Sequence, residues 1–163
     1  MSRLGLSIHE LTPGHRDWND YVDVIEGEGQ GRWAFAAQFE PFPHHYVVAR
    51  QESDIVGFIM YVVWDIGPHD RNHPPLSVDG QTLTETKIVA FGVKQAYRRQ
   101  GIGRALQEHV IRRARELGCY QVRSVSDADH PANRQLKLAM GFGVEPMERD
   151  KPTLAFIMPL RPR

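Results

Sequence analysis

Two glycines one residue apart, Gly101 and Gly103, sit among Arg98, Arg99 and Arg104 in the stretch RRQGIGR. Guanidinium groups and unpaired backbone N–H groups both recognise anions, phosphates above all. Glycine inside a helix costs up to ~1 kcal/mol against alanine. A glycine pair at an expected helix start therefore needs a use, and the missing Cβ supplies one by letting a bound group approach the backbone. The first N–H groups of a helix lack partners, and that end carries partial positive charge. The chemistry these residues suit is holding a pyrophosphate. Spacing excludes two commoner phosphate loops: G-x-x-x-x-G-K-[ST] is absent, and G-x-G-x-x-G would need glycine at 106, which is leucine. What remains is Arg-x-x-Gly-x-Gly over Arg98, Gly101 and Gly103.

The elements that must position this loop are legible on both sides of it. Before it, TLTETKIVAFGV (82–93) reads as a strand, polar at its start and apolar at its end. After it, apolar residues at 102, 105, 106, 110, 114 and 117 mark one face of a helix over 102–117, with Gly118 as its expected carboxy-terminal cap. Nearer the amino terminus, LSIHEL is a short strand, and Thr12 with Pro13 opens a helix over 13–25. EGEGQG (26–31) is a loop, and RWAFAAQF a short helix that must stop near Pro41. HYVVAR and DIVGFIMYVVW are two strands, the second apolar enough for burial on both faces. Residues 67–80 form a long Pro-, Gly- and His-rich loop. YQVRSVS is a strand, PANRQLKLAM a helix stopped at Gly141, and FGVEPME and TLAFIMPL the last strands. The order β-α-α-β-β-β-α-β-α-β-β, without internal repeat or linker, predicts one α/β domain over 1–163.

Composition narrows the function classes. The 163 residues are 41% hydrophobic and 25% charged, the mix of a globular protein with a core of its own. Lys+Arg and Asp+Glu balance at 20 each, which argues against a nucleic-acid binder. The sign is uneven, however: six arginines between Arg98 and Arg115 face the single acid Glu108. One cysteine, Cys119, excludes an internal disulfide and reads as a small core residue. His44, His45, His69 and His73 invite a metal reading, but Gly67, Pro68, Pro74 and Pro75 make the last two loop residues, so no metal is expected. No apolar run suits a signal peptide or a membrane span, which sets the expectation of a cytoplasmic protein.

With the strand, the loop and the capped helix in sequence, the chain resembles the GCN5-related N-acetyltransferase (GNAT) superfamily. The resemblance rests on Arg98, Gly101 and Gly103 between a strand and a helix, on Val93 ending that strand, and on Gly141-Phe142 after the later helix. It implies a mixed, mostly antiparallel central sheet flanked by helices, with acetyl-CoA as cosubstrate and no metal. It implies that Phe91 to Val93 pair their backbone with the pantetheine arm like an added strand. Arg98, Arg99, Gln100, Gly101, Ile102, Gly103 and Arg104 would hold the pyrophosphate, and Asn133 would contact the pantetheine. Two positions depart from the family pattern at this end: His130 stands where the asparagine is usual, and Lys137 where many members carry a tyrosine that protonates the leaving thiolate. No general acid is therefore assigned.

Amide formation needs a neutral acceptor, whereas an alkyl ammonium has a pKa near ~10. A general base could take that proton, directly or through water. Glu85 is the only carboxylate of the 82–93 strand and is the candidate, although the family's usual glutamate falls two residues on, at Lys87. A solvated glutamate near a strand start is the plainer alternative. The resulting expectation is an acyl-CoA-dependent N-acyltransferase, most simply acetyl transfer to a primary amine on a small molecule or peptide, with no nucleic-acid or membrane partner. A homodimer is reasonable by resemblance. The alternatives are a catalytically weak CoA-binding regulatory or structural module, and transfer to an alcohol or of another acyl group.

Overall fold

In the computed structural model the described residues are 5–36, 39–67, 72–126, 130–148 and 150–160. Their elements run β1 (Leu6–Leu11), α1 (Trp18–Gly27), α2 (Gly31–Ala34), β2 (His44–Gln51), β3 (Asp54–Asp65), β4 (Ser77–Val78), β5 (Gln81–Thr82), β6 (Thr84–Val93), α3 (Ile102–Glu116), β7 (Gln121–Ser126), α4 (Pro131–Ala139), β8 (Gly143–Pro146) and β9 (Leu154–Pro159). Seven strands form a mixed, mostly antiparallel sheet in the order β1-β2-β3-β6-β7-β9-β8. The β6–β7 pair is parallel, in register from Glu85↔Gln121 to Lys87↔Arg123. Among the described residues no helix is long and apolar enough to cross a membrane.

The expected order of elements holds with local corrections. Residues 67–80 are not all loop: β4 and β5 form a small hairpin around Asp79 (φ 50°) and Gly80 (φ 77°). Asp-Gly with both residues left-handed is the turn whose twist matches paired strands, so the signal was in the sequence. The long strand accordingly starts at Thr84. Helix α1 begins at Trp18, not Pro13, because His15 N–H bonds Thr12 C=O and Trp18 N–H bonds His15 C=O. Thr-Pro-Gly thus makes a turn before the helix. Asp17 at the helix start caps nothing with its side chain, and its carboxylate is paired with Arg50. Helix α2 is a single turn, shorter than expected.

Two carboxy-terminal caps behave as the sequence requires. Gly118 has φ 75°; its N–H bonds Arg115 C=O, and Cys119 N–H reaches Ala114 C=O. Gly141 has φ 96°, with matching bonds from Gly141 N–H to Leu138 C=O and from Phe142 N–H to Lys137 C=O. Both are the double 5→2 and 6→1 closure that glycine permits. Leu117, expected on the buried face of α3, is exposed because the chain has already left the helix there.

Packing divides the chain into two compact units, Met1–Val62 with Val89–Ile111, and Val63–Ile88 with Arg112–Arg163. In the first, Tyr21 and Ile25 of α1 bury against Val48, Phe58 and Met60 on one sheet face. Gly57 shows what covers the other face: a Cβ there would lie 3.2 Å from Leu106 and 3.4 Å from Ile102 of α3. Residues Ile55–Val62 are buried throughout, as the continuous apolar run requires. In the second unit, Val122 of β7 and Phe156 of β9 are fully buried, as is the ammonium-bearing side chain of Lys137 on α4.

Candidate functional site

The loop that raised the question of phosphate lies in the first unit. After β6 the chain makes a 3-10 turn at Gln95–Tyr97 and then exposes Arg98 to Gly101. Arg99 (φ 61°) and Gly101 (φ 77°) are both left-handed, which reverses the chain into α3. Ala105 N–H bonds Gly101 C=O at 3.0 Å, so Gly101 is the residue that opens the helix. The N–H groups of Ile102, Gly103 and Arg104 then have no acceptor inside the helix. An anion at this point would meet aligned backbone donors and the positive end of a 15-residue helix. The residues present fit a pyrophosphate.

The arginine side chains are less idle than the sequence suggested. Arg98 Nε donates to Val93 C=O (2.9 Å), and its Nη2 lies 3.4 Å from the Glu28 carboxylate. Arg104 pairs with Glu108 one turn on, in an exposed i,i+4 bridge at 3.1 Å. Arg98 therefore ties the end of β6 to the segment after α1, and that tie was not legible locally.

The strand edge expected to pair with pantetheine is already engaged at one residue. Phe91 N–H donates to Gln30 Oε1 (2.9 Å), while Gln30 Nε2 donates to Phe91 C=O (2.7 Å). At Gly92 beside it a Cβ would fall 2.9 Å from the buried Phe58 ring, so any side chain there must displace that ring. Next to this edge, Asp23, Val24, Gly27, Glu28, Lys94 and Gln95 line an open groove of about 410 Å³. Gln30 carried no sequence signal; it is one polar residue in EGEGQG.

Glu85, the candidate base, lies in the second unit and is not the solvated residue that the plainer reading would have it. It is 3% exposed. Its Oε1 accepts from Trp64 Nε1 (2.8 Å), its Oε2 from Gln121 Nε2 (2.6 Å), and Arg123 Nε reaches both oxygens at 3.1 Å. A carboxylate has about four lone-pair sites, and these donors occupy four. Lys87, on the same strand face, lies with its Nζ 5.8 Å from the centre of the Trp64 ring. Burial lowers the pKa of Lys87, against the opposing pull of Glu85. Trp64 and Arg123 belong to this cluster and were not foreseen, although an arginine in the middle of a strand was a visible oddity.

Asn133 and Lys137 sit one turn apart on α4. Lys137 Nζ donates to Asn133 Oδ1 at 2.6 Å and lies 5.9 Å from the centre of the Phe156 ring. Desolvation lowers the Lys137 pKa to about 7. Asn133 thus already has its carbonyl engaged within the helix. Of the histidines that invited a metal reading, His45 stacks on Tyr61 (4.6 Å between centroids) beside Glu10, and His44 stacks on Tyr46. His69 lies outside the described residues. Among the described residues no three His, Cys, Asp or Glu side chains group as metal ligands. Cys119 is a buried free thiol that accepts a hydrogen bond from Thr86 Oγ1 at 3.3 Å.

Known proteins share the fold that carries these residues. The family model of the acetyltransferase (GNAT) family matches residues 12–142. The Arabidopsis thaliana NAA60 structure, in complex with a bisubstrate analogue, superposes with a TM-score of 0.70 at 15% identity, covering 97% of this chain and 99% of that one. A GNAT family acetyltransferase from Elizabethkingia anophelis with acetyl-CoA bound gives 0.60 at 18% identity, covering 97% and 100%. Ard1 from Thermoplasma volcanium gives 0.65 at 18% identity, covering 96% and 99%. No curated protein sequence matches the chain.

Proposed function

The chain belongs to the acetyltransferase (GNAT) family, and we propose that it is an acyl-CoA-dependent N-acyltransferase, one domain over 1–163, that moves an acetyl group directly to a primary amine. The observation that carries this reading is the left-handed pair Arg99 and Gly101 opening α3 beneath exposed arginines. Such a turn offers backbone donors to a pyrophosphate without requiring side-chain movement. Similarity to structures with acetyl-CoA or a bisubstrate analogue bound supports the same cosubstrate here, and a small-molecule or peptide amine as acceptor.

In this reading bound acyl-CoA supplies the activated thioester carbonyl, and the protein's work is binding, orientation and proton management. Ile102, Gly103 and Arg104 hold the pyrophosphate through backbone N–H groups, with Arg98, Arg99 and Gln100 around it. Phe91 to Val93 present a strand edge to the pantetheine, and Asn133 contacts it from α4. A backbone N–H of β6 directed at the thioester oxygen would stabilise the charge developing there. The acceptor nitrogen forms the new C–N bond as the C–S bond breaks; its proton must leave and the thiolate must gain one. Glu85 is our candidate for taking the amine's proton. Its four engaged lone pairs set a condition: one donor must yield, and the Arg123 Nε shared between both oxygens is the longest held of them.

That crowding favours a second reading, in which Glu85 only anchors Arg123 and the chain binds CoA without efficient transfer. Calorimetry with acetyl-CoA, followed by a panel of amines with release of CoA thiol as readout, separates the two. Gly103→Asp should abolish binding, by adding bulk and like charge where phosphates sit, while leaving the melting temperature nearly unchanged. Unaltered binding in that variant would remove the cofactor assignment. Binding without transfer to any amine would favour the second reading.

A further inference from the structure

The pairing of Gln30 with Phe91 has the form of a missing strand. In an extended chain, the N–H and C=O of one residue point to the same edge, where a neighbouring peptide normally meets both. At Phe91 both are met by the carboxamide of Gln30, at 2.9 and 2.7 Å. A carboxamide offers the same donor and acceptor as a backbone peptide. The register of β6 with β7 runs over Glu85–Lys87 and ends short of Phe91. Gln30 therefore does at Phe91 what one amide of an added strand would do.

The segment that carries Gln30 joins the end of α1 to the start of α2. Gly27, Gly29 and Gly31 punctuate it, and Gly29 is left-handed with φ 73°. Its backbone is anchored to both flanking helices, by Glu28, Gly29 and Gln30 N–H to Val24, Glu26 and Ile25 C=O and by Ala34 and Phe35 N–H to Gln30 and Gly31 C=O, while its side chains tie it through the Gln30–Phe91 pair and through Glu28 with Arg98 at 3.4 Å. Arg98 is itself one of the residues assigned to the pyrophosphate. Both side-chain ties thus end on the strand and loop proposed to hold the cofactor.

We propose that Gln30 is an internal surrogate for the ligand's amide: it holds Phe91 N–H and C=O until an amide of acyl-CoA replaces it, and that exchange frees the Gln30 side chain. The inference rests on the reading above, in which Phe91 to Val93 form the acyl-CoA edge. Its direct consequence is that Gln30 competes with the cofactor. Removing the competitor strengthens binding, whereas removing a merely structural contact would weaken it or leave it alone.

The test uses the full chain, acetyl-CoA as probe and two variants. Gln30→Ala deletes the carboxamide. Gln30→Met keeps the length with no group that can pair with the Phe91 backbone. Both should bind acetyl-CoA about 5- to 10-fold tighter by calorimetry, the scale of one net neutral hydrogen bond. In the wild type, hydrogen exchange followed by NMR should show the Gln30 side-chain amide losing protection on saturation with acetyl-CoA while Phe91 N–H keeps its own. Unchanged or weaker affinity in both variants, or a Gln30 amide still protected in the saturated complex, would overturn the surrogate role and leave the cofactor assignment standing. Failure of the wild type to bind acetyl-CoA at all would remove that assignment, and the surrogate with it.

Discussion

Lys137→Met should stabilise the protein, and by an amount that depends on pH. Lys137 is fully buried, its Nζ bonded to Asn133 Oδ1 and lying by the Phe156 ring, and desolvation lowers its pKa from 10.5 to about 7. Between those two values the unfolded chain binds a proton that the folded chain does not. Stability therefore rises with pH across that window and is flat with respect to this group below about 7. At ~1.36 kcal/mol for each pH unit, the gap sets a ceiling of ~5 kcal/mol on the cost of burying the lysine near neutral pH. Methionine fills nearly the same volume without a charge to desolvate. It forfeits the amine's polar contacts, of which the charged bond to Asn133 is worth ~1.5–3 kcal/mol. A net gain of ~1–3 kcal/mol at pH 6.5 is expected, or roughly 2–4 °C in Tm for each kcal/mol. Paired urea denaturation of both proteins at pH 6.5 and 9.5 reads this out, with the difference shrinking at the higher pH. A difference that is the same at both pH values, or a less stable methionine variant at pH 6.5, would refute the desolvation argument.

Glu85→Gln should leave acetyl-CoA affinity nearly intact and lower turnover at neutral pH by ~10²–10⁴ if Glu85 is the base. The deficit should shrink as pH rises, because more amine then arrives deprotonated; wild-type turnover across that range would make Glu85 an anchor only. The same variant should melt earlier, since the Arg123 guanidinium loses its charged partner, so rates must be compared well below its Tm. Gly118→Ala should cost ~1 kcal/mol by placing a Cβ at φ 75°, seen as a lower Tm with acetyl-CoA affinity unchanged; an undisturbed Tm would mean that the cap relaxes without cost.

What could be read from the amino acids alone is what neighbours in the chain decide. The start of α3 within RRQGIGR, its closure at Gly118, the stop of α4 at Gly141 and the double burial of Ile55–Val62 are matters of local backbone freedom and hydrophobic period. Even the Asp79-Gly80 hairpin, read as loop, was a local signal passed over among prolines and histidines. The tertiary structure decided what polar groups do once they share a surface. Glu85 meets Gln121 and Arg123 across 36 and 38 residues of chain, and Gln30 meets Phe91 across 61. Nothing in the spacing of those residues foretells the meetings, because a side-chain hydrogen bond is specified by the register of distant strands and not by period. Lys137 makes the same point through burial: a lysine on an amphipathic helix reads as solvent-facing until the packing of α4 shows its side chain buried and its pKa lowered by desolvation. Backbone conformation was written locally, whereas the dielectric and the partners around each charge came into being only when the strands paired.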